Sequence, residues 1–130
     1  MLPDEWFAKA REALTFAGAG FAASGIPGFA SFLAHQAAEL ALKGYLATRR
    51  RDPPRLHDLV RLVDECQETE PSFSGAIEDA LLLDPWYIPG RYPVQRTLAA
   101  TAEDARDALA AAERILNAVG VANVLLPSRA

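Results

Sequence analysis

The chain has 130 residues, 51% of them hydrophobic, and a formal net charge of −4. That length supports one core without staples, and with Cys66 as the sole cysteine neither an intramolecular disulfide nor a cysteine-built zinc site can form. The acidic balance excludes a broad phosphate-gripping face, the first residues lack the pattern of a secretion signal, and no run of ~18 apolar residues is available to span a bilayer.

These features predict a cytoplasmic protein in one domain, residues 1–130, with no membrane association, cofactor or metal. Alanine supplies so much of the hydrophobic content that the core must come from close helix packing.

A first helix opens at Pro3, whose fixed φ suits a first helical position, and carries Leu2, Trp6, Ala10, Ala13, Leu14 and Ala17 at helical spacing. Gly18 and Gly20 are expected to weaken its end, and Ser24 to Gly28 to turn the chain. The central helix is predicted over Phe29 to Arg50, with Phe29, Phe32, Leu33, Gln36, Ala37, Leu40, Gly44 and Ala47 as its apolar stripe. Arg49 to Arg55, with Pro53 and Pro54, closes it as a short basic connection.

His57-Asp58-Leu59 starts a third helix with Leu59, Leu62, Val63 and Cys66 on one face. Residues 68–72 break it. A fourth helix is predicted over Phe73 to Leu83, ending before Asp84-Pro85, and Trp86 to Pro93 reads as an ordered loop. The final helix starts near Thr101, where Thr101 and Asp104 form a capping box, buries Ala105, Leu109, Ala112, Ile115, Leu116 and Val119, and has Gly120 as its expected C-cap. The fold class is therefore all-α: an up-and-down antiparallel bundle of about five helices.

Three groups carry chemistry. His35, Glu39 and Lys43 follow at i, i+4 spacing with Gln36 beside them. They are either a polar lining that faces a ligand or partner or, as spacing alone favours, an ion pair on a solvated flank. In the loop, Arg91 offers a five-donor fork between Tyr87 and Tyr92. That loop either binds, with its aromatics stacking on Arg91 or on a base, or caps the bundle while Arg91 pairs with an acid such as Glu39. The third group is Arg51 and His57, in which the histidine either serves chemistry or packs at the start of the third helix.

Taken together, Trp6, Phe32-x-x-His35-Gln36-Ala37-Ala38-Glu39-x-Ala41-Leu42-Lys43, His57-Asp58-Leu59, Tyr87-Ile88-Pro89-x-Arg91-Tyr92-Pro93 and Ala105-x-x-Ala108-Leu109 span nearly the whole chain. In order and spacing they resemble the small stand-alone prokaryotic HEPN-domain proteins. The resemblance implies a homodimeric helical bundle that pairs with a minimal nucleotidyltransferase in a toxin-antitoxin-like system and binds nucleotide or RNA. Its expected ligand and partner residues are His35, Gln36, Glu39, Lys43, Tyr87, Arg91 and Tyr92.

Some relatives of that kind are metal-independent ribonucleases in which an Arg and a His, about four to six residues apart, meet across a dimer. Arg51 and His57 meet the spacing, but prolines interrupt the segment and it lies away from the final helix where that motif belongs. A binding module is therefore the first expectation and an RNA-cleaving toxin the alternative.

Overall fold

The computed structural model describes residues 2–55, 57–87 and 100–125. Among them are five α-helices, α1 (Pro3–Ser24), α2 (Pro27–Thr48), α3 (Leu59–Gln67), α4 (Ile77–Leu83) and α5 (Ala102–Leu125), with 3-10 turns at Pro71–Ala76 and Asp84–Trp86. No strand occurs among the described residues. The all-α bundle expected from the sequence is the architecture found.

Helix α1 begins where Leu2 N–H donates to Glu5 Oε2 at 2.7 Å and Pro3 takes the first helical position. Gly18 and Gly20 do not end it. Each costs only about 1 kcal/mol against alanine, and packing of Leu14 and Ala17, both buried, carries the helix on to Ser24. Gly25 ends it at φ 69°, its N–H donating to the Phe21 carbonyl at 2.8 Å. Pro27 is then more than a breaker, because it is the first residue of α2.

Helix α2 is the axis of the fold. It packs against α1, α5 and α3, so burial runs around most of its circumference and includes Ala34, His35, Ala38, Leu42, Tyr45 and Leu46. The stripe expected from periodicity is overturned at its first member, since Phe29 is 65% exposed. An amphipathic reading assumes one wet face, and a helix enclosed by three others has little of one. The alanines of α2 and α5 have the role their abundance suggested: Ala34, Ala38, Ala41, Ala108, Ala111 and Ala112 are all at most 1% exposed, and such short side chains let helix axes approach closely.

At Gly44 the approach of α1 is closer still, because a Cβ there would lie 2.7 Å from Trp6 Cβ and 3.0 Å from Phe7 Cε1. Gly44→Ala should therefore push α1 outward and destabilise the fold by about 1–3 kcal/mol. A urea melt of the two proteins measures this, and an unchanged midpoint would contradict the tight contact.

After α2 the chain doubles back. Arg50 adopts a left-handed φ of 59° just past the cap. Contacts then rise in step along both partners: Glu39 with His57, Leu42 with Cys66 and Tyr45 with Thr69. Helix α3 therefore runs in the same sense as α2. The connection between α2 and α3 makes the return leg, a distance of roughly 13 Å for nine helical residues. Helix α4 runs the other way, from Phe73 beside Tyr45 to Asp84 beside His35.

The apolar face of α3 is as expected, with Leu59, Leu62, Val63 and Cys66 fully buried. Burial pushes the Cys66 thiol up to about 12, so it packs as a neutral group. The helix expected over Phe73 to Leu83 is α-helical only from Ile77, its first part being the 3-10 turn. Helix α5 opens on the expected reciprocal cap, Thr101 N–H to Asp104 Oδ2 at 2.9 Å and Asp104 N–H to Thr101 Oγ1 at 3.0 Å. Gly120 is not its C-cap: the helix continues to Leu125 because the stripe of Val119 and Ala122 remains buried. No helix among the described residues is long and apolar enough to cross a membrane.

Candidate functional site

The polar residues of α2 turn inward at mid-helix. His35 is 0% exposed, and the Glu39 and Lys43 side chains are 9% and 11% exposed. Lys43 Nζ donates to Glu39 Oε2 at 3.0 Å. The i, i+4 pair suggested by spacing is present, but the solvated flank is not. Enclosure by α1, α3 and α5 is a tertiary fact that spacing cannot carry.

His57 completes this pair from the far end of the return leg. Its Nδ1 lies 3.0 Å from Glu39 Oε1 while the side chain is 49% exposed. A carboxylate that already accepts from an ammonium can only accept from the ring as well, so Nδ1 donates and Nε2 is directed away from Glu39.

Tyr87 lies flat against the other side of the cluster. Its ring stacks on His57 at 4.5 Å with an interplanar angle of 12°, and lies 5.5 Å from His35 with a tilt of 37°. The three rings form one stack, His57–Tyr87–His35, running from the surface to the core. His57 caps its outer end. One face of that imidazole meets Tyr87 and one edge meets Glu39, and about half of the side chain is exposed.

Asp84 anchors the inner end. Its carboxylate accepts from Leu59 N–H at 2.8 Å and from Val60 N–H at 3.4 Å, across the start of α3. There Asp58 also caps Arg61 N–H at 3.3 Å. His35 Nε2 approaches Asp84 Oδ1 to 3.5 Å, near enough for attraction but not aligned as a hydrogen bond. Burial alone would push the Asp84 carboxyl upward. The approach of His35, the two backbone N–H groups and Asp58 outweigh it and hold the carboxyl below its ordinary value.

Two further polar atoms stand out. His35 Nδ1 and Gln36 Oε1 are buried with no hydrogen-bond partner among the described residues. Such groups are costly when unpaired.

Of the residues singled out by sequence, the fold brings His35, Glu39, Lys43 and Tyr87 together, with Gln36 adjacent on α2, and adds His57. Arg51 is not part of this group within one chain. Its guanidinium pairs with Glu68, just beyond the end of α3, whereas His57 lies at the start of that helix. Arg91 and Tyr92 lie outside the described residues, and so do residues 88–93 of the expected loop. Trp86, the loop's first member, is a core residue at 7% exposure. Sequence reasoning missed Asp84, which reads there only as the acid before Pro85 that ends a helix. Among the described residues no three His, Cys, Asp or Glu side chains converge as metal ligands would.

Comparison with known proteins bears on this arrangement. The HEPN domain family matches residues 3–122. A crystal structure of ST0689, described as an archaeal HEPN homologue, is 28% identical, with a TM-score of 0.75 over 93% of this chain and 97% of its own. The crystal structure of TT1696 from Thermus thermophilus is 32% identical, with a TM-score of 0.80 over 92% of this chain and 96% of its own. No curated protein matches the chain.

Proposed function

The chain belongs to the HEPN domain family, and from that premise we propose that it is a cytoplasmic, homodimeric binding module that pairs with a nucleotidyltransferase-type protein in a toxin-antitoxin-like system and takes a nucleotide at the ring stack. The observation that carries this reading is the half-exposed His57, held in plane by Glu39 and backed by Tyr87 and His35. A flat, half-exposed ring held on one edge and one face is suited to stacking on a base, and base stacking of this kind is worth about 1–3 kcal/mol. Arg55, exposed two residues before His57, supplies a cation for the phosphates, while Lys43 is already committed to Glu39. Arg91 and Tyr92, part of the same family string, are included in the proposed site on sequence grounds.

Calorimetric titration of the protein with ATP and AMP tests the reading, alongside co-purification with a co-expressed minimal nucleotidyltransferase. His57→Ala and Tyr87→Ala should each weaken nucleotide binding about tenfold or more while keeping the helical circular dichroism spectrum. Wild-type protein that binds neither nucleotide nor that partner would overturn the proposal.

The alternative is metal-independent cleavage of RNA using Arg51 and His57 across a dimer, and one observation favours it. A carboxylate-held imidazole whose second nitrogen is directed away from the carboxylate is suited to proton transfer. RNA cleavage in the presence of chelator that is lost in His57→Ala would favour this reading over simple binding.

A further inference from the structure

Between Glu12 and Glu39 the sequence contains no Asp, Glu, Lys or Arg; all of the chain's charged residues of these types lie outside that stretch. It forms the second half of α1, the turn at Gly25 and the first half of α2. Its surface is nonetheless wet: Phe16, Phe29 and Ile26 are 69%, 65% and 59% exposed. With Phe21, Leu33 and Gly20 they surround a shallow hollow of about 200 Å³. Helix α5 pairs with the first half of α1 through Glu113 and Arg11, and a second hollow opens there between Phe7, Ala10, Leu116 and Val119. Solvated helix faces ordinarily carry charges, and this one carries exposed aromatic rings instead.

The charge pattern also indicates what covers it. Two copies of a chain with net charge −4 repel each other, and a two-fold interface sets each patch against its own image, so any charge near the axis meets its like. The hairpin end is the long stretch of this chain where two copies can meet without that cost. Its relief suits self-association, because nothing lies within 4 Å of where a Cβ would stand at Gly18 or Gly20, leaving room for a ring from the facing copy. The three exposed side chains present on the order of 400 Å² by the usual area of such groups. That is about half of what each partner buries in a standard interface of ~800 Å², and the surrounding alanine, glycine and serine surface supplies the rest.

We infer that the end of the α1–α2 hairpin marked by Phe16, Ile26 and Phe29 is the surface through which two copies of this chain associate, with rings of each copy seated in the hollow at Gly20 of the other. This rests on the homodimer reading above. Two such hairpins crossing at their tips form a four-helix contact.

Light scattering after size exclusion tests it with the full chain, a Phe16→Glu/Phe29→Glu double variant, and Arg106→Glu as a charge control on exposed α5. Wild type and control should run at twice the 14.0 kDa chain mass. The double variant should run at the chain mass with an unchanged circular dichroism spectrum, its dimer dissociation constant raised at least 100-fold. A double variant that remains dimeric overturns the surface but not the dimer. A wild type that is monomeric at every concentration overturns both, and wild-type monomer that sediments with neutral phosphatidylcholine vesicles would assign the patch to lipid instead.

Discussion

Glu39→Ala is expected to lower the unfolding free energy by about 3–5 kcal/mol, the range seen when one member of a buried ion pair is removed and the other stays behind. Lys43 is the member left behind, with its side chain 11% exposed and its ammonium held by Glu39 alone among the described residues. The same change releases His57, whose Nδ1 bond is to the other Glu39 oxygen. Stability and binding should therefore fall together, and a second variant separates them. Glu39→Met with Lys43→Met replaces both charges by groups of similar length, and such exchanges are often neutral or stabilising. The double variant should regain most of the lost stability in a urea melt while nucleotide binding remains weak, because His57 then keeps only its stack on Tyr87 and loses the bond that fixes its edge. A loss below about 1 kcal/mol for Glu39→Ala would mean that the pair is solvated after all.

Asp84→Ala is the second large effect, expected at about 2–4 kcal/mol because it strips the acceptor from two backbone N–H groups at the start of α3, one of them on the fully buried Leu59. The pH dependence has a definite sign. The folded carboxyl is held below the ordinary aspartate value of 3.8, so its stabilisation is complete above that value. It is lost as pH falls through the lower, folded value. Stability measured from pH 6 downward should thus stay level with respect to this group until about pH 4 and then decline. Asp84→Asn, which keeps an acceptor but has no charge to lose, should start lower and decline less steeply. Identical slopes for wild type and Asp84→Asn below pH 4 would remove Asp84 from the account of acid sensitivity.

Both residues show where the sequence was readable. The i, i+4 order of His35, Glu39 and Lys43, the cap at Thr101, the start of α3 at His57-Asp58-Leu59 and its buried face are local patterns, and local patterns survive folding. Burial of Glu39 is not local, because it depends on three helices closing around α2. Phe29, which periodicity had placed inside, stands in the first turn of α2 beside the hairpin turn and is exposed there. His57 reaches Glu39 only because the chain doubles back after Arg50, and no spacing rule within eighteen residues of coil and helix encodes that reversal. Asp84 caps a helix that begins twenty-five residues earlier in the chain, and a tertiary cap has no sequence signature comparable to Asp58 capping its own helix.

The return leg between α2 and α3 carries slack. Its ten residues, 49 to 58, would span about 33 Å if fully extended, against roughly 13 Å to be covered. His57 is placed from the other side, because Leu59, two residues on, is fully buried and its N–H is held by Asp84. A residue added to the leg should therefore loop outward and leave both the bundle and the ring stack in place, so the position of His57 is set by the anchored start of α3 and not by the length of the leg.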